Sequence, residues 1–80
     1  MTGTGQMPEL LLIAVTLEDR AARVEALADT LAARASAASW QGPAADRFRL
    51  TAGDRRQQLR AAADGLRRVA QQARLLAGAP

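Results

Sequence analysis

The ionisable side chains of this sequence are Asp, Glu and Arg; it contains no His and no Cys. Asp46, Asp54 and Asp64 fall near whole turns of a helix apart, the spacing that paired carboxylates would need for acid–base work. Arg49, Arg56, Arg60, Arg67 and Arg74 run along one side of the same segment, where guanidiniums could meet phosphates. Without His or Cys the commonest general base, metal ligands and thiol nucleophile are missing. Isolated acids on a charged helix are ordinarily solvated. The expectation is therefore no enzyme, no cofactor and no metal site. "TGTG" near the start opens no strand-to-helix unit, so no phosphate loop is read there. The Arg row keeps nucleic-acid binding as a rival reading. Against it stand the lack of interleaved aromatics and helical arms too long for a helix-turn-helix.

The charges are segregated along the chain. All 11 basic residues are Arg, and the net charge is +3. Up to Trp40 acids outnumber bases; beyond it eight Arg stand against Asp46, Asp54 and Asp64. Such asymmetry suits either nucleic acid or two complementary helices. Apolar residues make up 49% of the 80, but about half of them are Ala. A core this small rarely yields more than ~3–5 kcal/mol, and without Cys the remaining reinforcement is association with another chain. The longest apolar run, Leu10 to Val15, is too short to span a membrane, and its flanks do not suit a signal peptide.

Helices must position these side chains. Residues 1–7 read as a disordered arm, and Pro8 suits the first position of a helix expected over 8–40. Leu10, Leu17, Val24, Leu31 and Ala38 recur every seven residues, with Ala14, Ala21, Ala28 and Ala35 four places after each of the first four. Ile13 and Leu27 widen the stripe. Gly42 and Pro43 interrupt the pattern: Gly as the left-handed residue ending the first helix, Pro as the opening of the second. A turn is expected over 41–43 and a second helix over 43–77, with 78–80 a short tail. That helix repeats the heptad as Ala45, Ala52, Leu59, Leu66 and Ala73, beside Phe48, Val69 and Leu76 and an Ala edge at Ala63, Ala70 and Ala77.

The fold expected is all-α, an antiparallel two-helix hairpin. Pairing positions that sum to about 83 sets Leu10 against Ala73, Leu17 against Leu66, Val24 against Leu59, Leu31 against Ala52, and Ala38 against Ala45. The core expected is Leu10, Ile13, Leu17, Val24, Leu27, Leu31, Leu59, Leu66, Val69 and Leu76. The same register brings Glu18 to Arg67, Glu25 to Arg60 and Arg34 to Phe48. Leu11, Leu12, Val15, Leu50 and Leu75 fall outside the stripe, which predicts a dimer interface with a second hairpin in a four-helix bundle.

The only Trp and the only Phe flank the turn in "SWQGPAADRF". A helical hairpin of this size, with Trp40-Gln41-Gly42 at its turn and Phe48 shortly after, resembles the WXG family of type VII (ESX) secretion proteins, particularly actinobacterial members. The resemblance covers residues 8–77. It implies a homodimer or heterodimer of hairpins, exported folded by a membrane ATPase machine. It also implies that Trp40 and Gly42 form one half of an export signal, the other half being a Tyr-x-x-x-Asp/Glu tail on the partner. The chain contains no Tyr. The expectation is accordingly a heterodimer subunit, either an exported substrate or a targeting partner of a larger effector. It would be cytoplasmic before export and then secreted or associated with the envelope. An adaptor hairpin unrelated to secretion is the other alternative.

Overall fold

The structure, a computed structural model, describes residues 2–37 and 39–78, with side chains from Met7 onward. Among the described residues there are two helices, α1 (Thr2–Ala37) and α2 (Pro43–Gly78), and no strand. They pack against each other along their length as a hairpin measuring 65 × 14 × 12 Å. Ala and Leu are frequent in both segments and Arg in the second, and these are the residues that lose least on entering a helix. α2 runs unbroken through Gly53 and Gly65. Met1 of the expected arm, Ala38 of the expected register and residues 79–80 of the expected tail lie outside the described residues.

The helix ends differ from the sequence reading. α1 begins at Thr2 rather than Pro8, so Pro8 lies inside it and residues 2–7 belong to the helix, not to an arm. Extending an existing helix costs far less than nucleating one, and Pro8 forfeits one backbone bond. α1 stops at Ala37 rather than at residue 40, leaving Ser39, Trp40 and Gln41 outside both helices. Gly42 takes φ +111°, and its carbonyl accepts the Asp46 N–H at 3.0 Å, the first bond of α2. Gly42 is thus the N-cap of the second helix, not the C-terminal glycine of the first. Pro43 takes the first helical position and steers the residue before it away from helical backbone.

The seam between the helices is made of methyl groups. Ala14, Ala21, Ala28 and Ala35 of α1 are buried, as are Ala45, Ala52, Ala63, Ala70, Ala73 and Ala77 of α2. Among the described residues no larger side chain is fully buried. Side chains this short let two backbones come close, and each buried methyl contributes only about 0.8 kcal/mol. Leu10, Leu17, Val24 and Leu31 line the seam from α1 and are half-buried, as are Leu59 and Leu66 from α2. At the open end Leu10 and Leu17 pack on a cluster of Ala14, Ala70 and Ala73.

Four residues expected in the core are exposed instead: Ile13, Leu27, Val69 and Leu76. Each lies one residue before an alanine of the seam or a position in its row, roughly 100° further round the helix axis. A single helix–helix contact does not reach that far. The core of the isolated hairpin is therefore the Ala edge, with the larger residues as its margin.

Candidate functional site

Three regions of the rod carry distinctive chemistry: the turn and the two flanks. At the turn, Trp40 and Phe48 pack ring to ring with centroids 5.8 Å apart and planes tilted by 42°. Tilted, offset pairs of this kind suit the aromatic quadrupole and add ~0.5–1.5 kcal/mol beyond the area they bury. Arg49 Nη2 donates to the Trp40 carbonyl at 3.0 Å, tying the non-helical connection to the first turns of α2. Its Nη1 lies 3.8 Å from Asp46 Oδ1. Asp46 in turn sits in the first turn of α2, where a carboxylate complements the positive end of the helix dipole. Trp40 and Phe48 nevertheless keep 47% and 40% of their surface exposed. They present an aromatic face at the end of the rod rather than a sealed plug. Phe48 packs on Trp40, where the sequence register had offered Arg34.

One flank carries a ladder of ion pairs between the helices. Arg74 grips Glu18 with two nitrogens, Nε to Oε2 at 2.9 Å and Nη2 to Oε1 at 2.5 Å. Arg67 pairs with Glu25 across the seam and with Asp64 on its own helix at 3.4 Å. Arg60 donates to Asp29 at 3.2 Å. The hydrogen bond from Arg74 holds the Glu18 carboxyl below its ordinary value. Reciprocally, hydrogen bonds to Glu18 and Glu25 raise Arg74 and Arg67.

These pairs move the expected ion-pair partners by one heptad, while the backbone register keeps Leu10 beside Ala73. Glu18 meets Arg74 instead of Arg67, and Glu25 meets Arg67 instead of Arg60. Side chains lean toward the N-terminus of their own helix. In an antiparallel hairpin Glu18 therefore leans toward the open end, while an Arg of α2 leans toward the turn. Partners that meet at their tips start from Cα positions further apart than the backbone register suggests.

The ladder also disposes of most of the Arg row. Arg60, Arg67 and Arg74 are engaged by acids of α1, and Arg49 by Asp46 and the turn. Arg56 stands apart: its Nε is buried and makes no hydrogen bond. It lines a groove of about 190 Å³ with Arg49, Ala52, Ala32 and Gly53, where facing residues are too small to fill the space. Asp46, Asp54 and Asp64 do not converge; Asp46 and Asp64 each pair with the Arg three places on. Among the described residues no cluster of acids is arranged to hold a metal.

The opposite flank carries large apolar side chains between Arg20, Arg34 and Arg55. Ile13 and Leu27 of α1 share it with Phe48, Val69 and Leu76 of α2, all exposed. The residues expected at a dimer interface, Leu11, Leu12, Val15, Leu50 and Leu75, are likewise exposed. No helix among the described residues is long and apolar enough to cross a membrane. The Arg49–Trp40 link escaped the sequence reading, although the Asp46–Arg49 spacing of three hinted at a structured first turn. The buried role of the Ala edge was written in its seven-residue repeat. No protein-family model, curated protein or solved structure matches the chain.

Proposed function

We propose that this chain is a small type VII secretion-associated protein of the WXG kind. Its hairpin pairs with another hairpin, preferably a different one, in a four-helix bundle. The pair leaves the cytoplasm either as exported substrate or as targeting partner of a larger effector, handled by a membrane ATPase. The observation that carries this reading is the placement of Trp40-Gln41-Gly42 in the joint between two helices of 36 residues each, with the Trp40 ring half open to solvent. Large apolar side chains left uncovered along the rod, among them Leu12, Leu27, Leu50 and Leu76, support a need for a second hairpin.

The test is export from the native host. Trp40→Ala is expected to abolish export while leaving a helical, paired protein. Retention of both pairing and export would leave the turn with a purely structural role and overturn the proposal. Recovery only as a homodimer, with no partner carrying the Tyr-x-x-x-Asp/Glu tail, would overturn the heterodimer. Nucleic-acid binding is not favoured, because the Arg row that suggested it is largely engaged within the hairpin. An adaptor unrelated to secretion rests on the same apolar surface and would pair but never be exported.

A further inference from the structure

The two flanks of the hairpin follow from one rule of position. The ladder residues Glu18 and Glu25 follow buried Ala14 and Ala21 by four, and Arg67 and Arg74 follow buried Ala63 and Ala70 by four. Residues that precede the seam row by one fall on the other side of each helix. In α1 these are Ile13, Arg20, Leu27 and Arg34; in α2 they include Phe48, Arg55, Val69 and Leu76, and all are exposed. Leu27, Val69 and Leu76 keep 60%, 57% and 63% of their surface.

The charge on that flank is of one sign. Arg20, Arg34 and Arg55 stand there, and none of the chain's eight acids occupies a position of this row. These guanidiniums take part in no ion pair among the described residues, in contrast to Arg60, Arg67 and Arg74 on the ladder side. A two-fold dimer built through this flank brings the same patch against itself, so that basic patches oppose each other. A face that is apolar between unpaired guanidiniums is complemented by a surface that is apolar between carboxylates.

We infer that the flank formed by Ile13, Leu27, Val69 and Leu76 is the docking surface, and that its occupant is an acidic helical hairpin from a different chain. That hairpin has apolar side chains at seven-residue spacing and Asp or Glu in register with Arg20, Arg34 and Arg55. The inference rests on the reading of this chain as one half of a two-hairpin bundle, and adds to it which face is covered and why a second copy is the poorer partner.

A charge-reversed copy of the chain serves as the probe. The variant Arg20→Glu/Arg34→Glu/Arg55→Glu is mixed with the wild-type chain, one of them mass-labelled, and dimers are counted by native mass spectrometry and sedimentation. At low salt the mixed dimer is expected to outnumber the two homodimers together by about tenfold, as opposed charges select partners. The excess should shrink at about 1 M salt, where screening acts within ~3 Å. Leu27→Asp in the variant chain should abolish the mixed dimer with helicity by circular dichroism unchanged. Should the triple variant fail to fold, Arg34→Glu alone, mixed the same way, reads the same preference in smaller measure. Random mixing of dimers at both salts would overturn the assignment of this flank and leave the bundle standing. Monomers in every mixture would overturn both.

Discussion

The guanidinium of Arg49 donates to the main-chain carbonyl of Trp40, nine residues back, at 3.0 Å. That bond ties the non-helical connection to α2 beside the contact of the Trp40 ring with Phe48. Arg49→Met keeps much of the stem but removes the donor. The expected result is a red-shifted, more easily quenched Trp40 emission and a loss of roughly 0.5–1 kcal/mol, toward the low end for a charged donor because the site is partly solvated. In a domain of this size that loss lowers the melting temperature by about 2–8 °C. Unchanged emission would show that the ring pair does not depend on the clamp.

Gly42 and Gly53 should respond in opposite directions to the same substitution. A Cβ added at either would meet nothing within 4 Å, so sterics outside the residue play no part. Gly42 holds φ +111°, and Gly42→Ala is expected to destabilise by about 1–3 kcal/mol through backbone strain alone. Gly53 lies in the interior of α2, and Gly53→Ala is expected to stabilise by about 0.5–1 kcal/mol. Thermal melts of the pair decide the matter, and equal signs would contradict the placement of the turn.

The seam predicts an inversion of the usual ranking of core substitutions. Ala70 is fully buried, so Ala70→Leu forces the helices apart and should cost about 1–3 kcal/mol. Leu27 is exposed, so Leu27→Ala should change the stability of the lone hairpin by no more than ~0.5 kcal/mol. Denaturant titration at a protein concentration below that of association makes the comparison. A large cost for Leu27→Ala under those conditions would place Leu27 in an intramolecular core.

Acid should weaken the ladder in a defined order of events. The folded Glu18 carboxyl lies below its ordinary value of 4.5 because Arg74 hydrogen-bonds it. A depressed carboxylate contributes stability that is fully present above its unfolded value and is lost as pH falls through the folded one. Between neutrality and pH 5 this contribution should therefore be flat, and below 4.5 the melting temperature should fall. Glu18→Gln is expected to flatten part of that acid limb. An identical limb in the variant would show that the bidentate pair does not persist in solution.

Much of the hairpin was legible because two patterns reinforce one another. Heptads of Leu and Val announce helices, and the Gly42-Pro43 pair announces where they reverse. Which residues the helices bury was harder to read. Hydrophobic size ranks Ile13 and Leu76 above any Ala, yet the contact between only two helices is narrow enough that methyl groups fill it. The ladder was visible as complementary charge, but its partners were misplaced by a heptad because side-chain lean does not show in a list of positions. Gly42 was singled out correctly as special backbone and assigned to the wrong helix. Its hydrogen bond, rather than its identity, reveals which helix it serves.

A seam of methyl groups has a mechanical consequence. Tall side chains interlock and forbid one helix from gliding along another, whereas a row of alanines is smooth. Gliding by seven residues sets most alanines opposite alanines or their Leu and Val neighbours again, so shape alone is a weak ratchet. What stops the glide is the short tether between Ala37 and Pro43, assisted by Glu18–Arg74, Glu25–Arg67 and Asp29–Arg60 as catches along one edge. Cut at the tether, the two rods would hold their alignment by charge alone, and ionic strength would set how firmly.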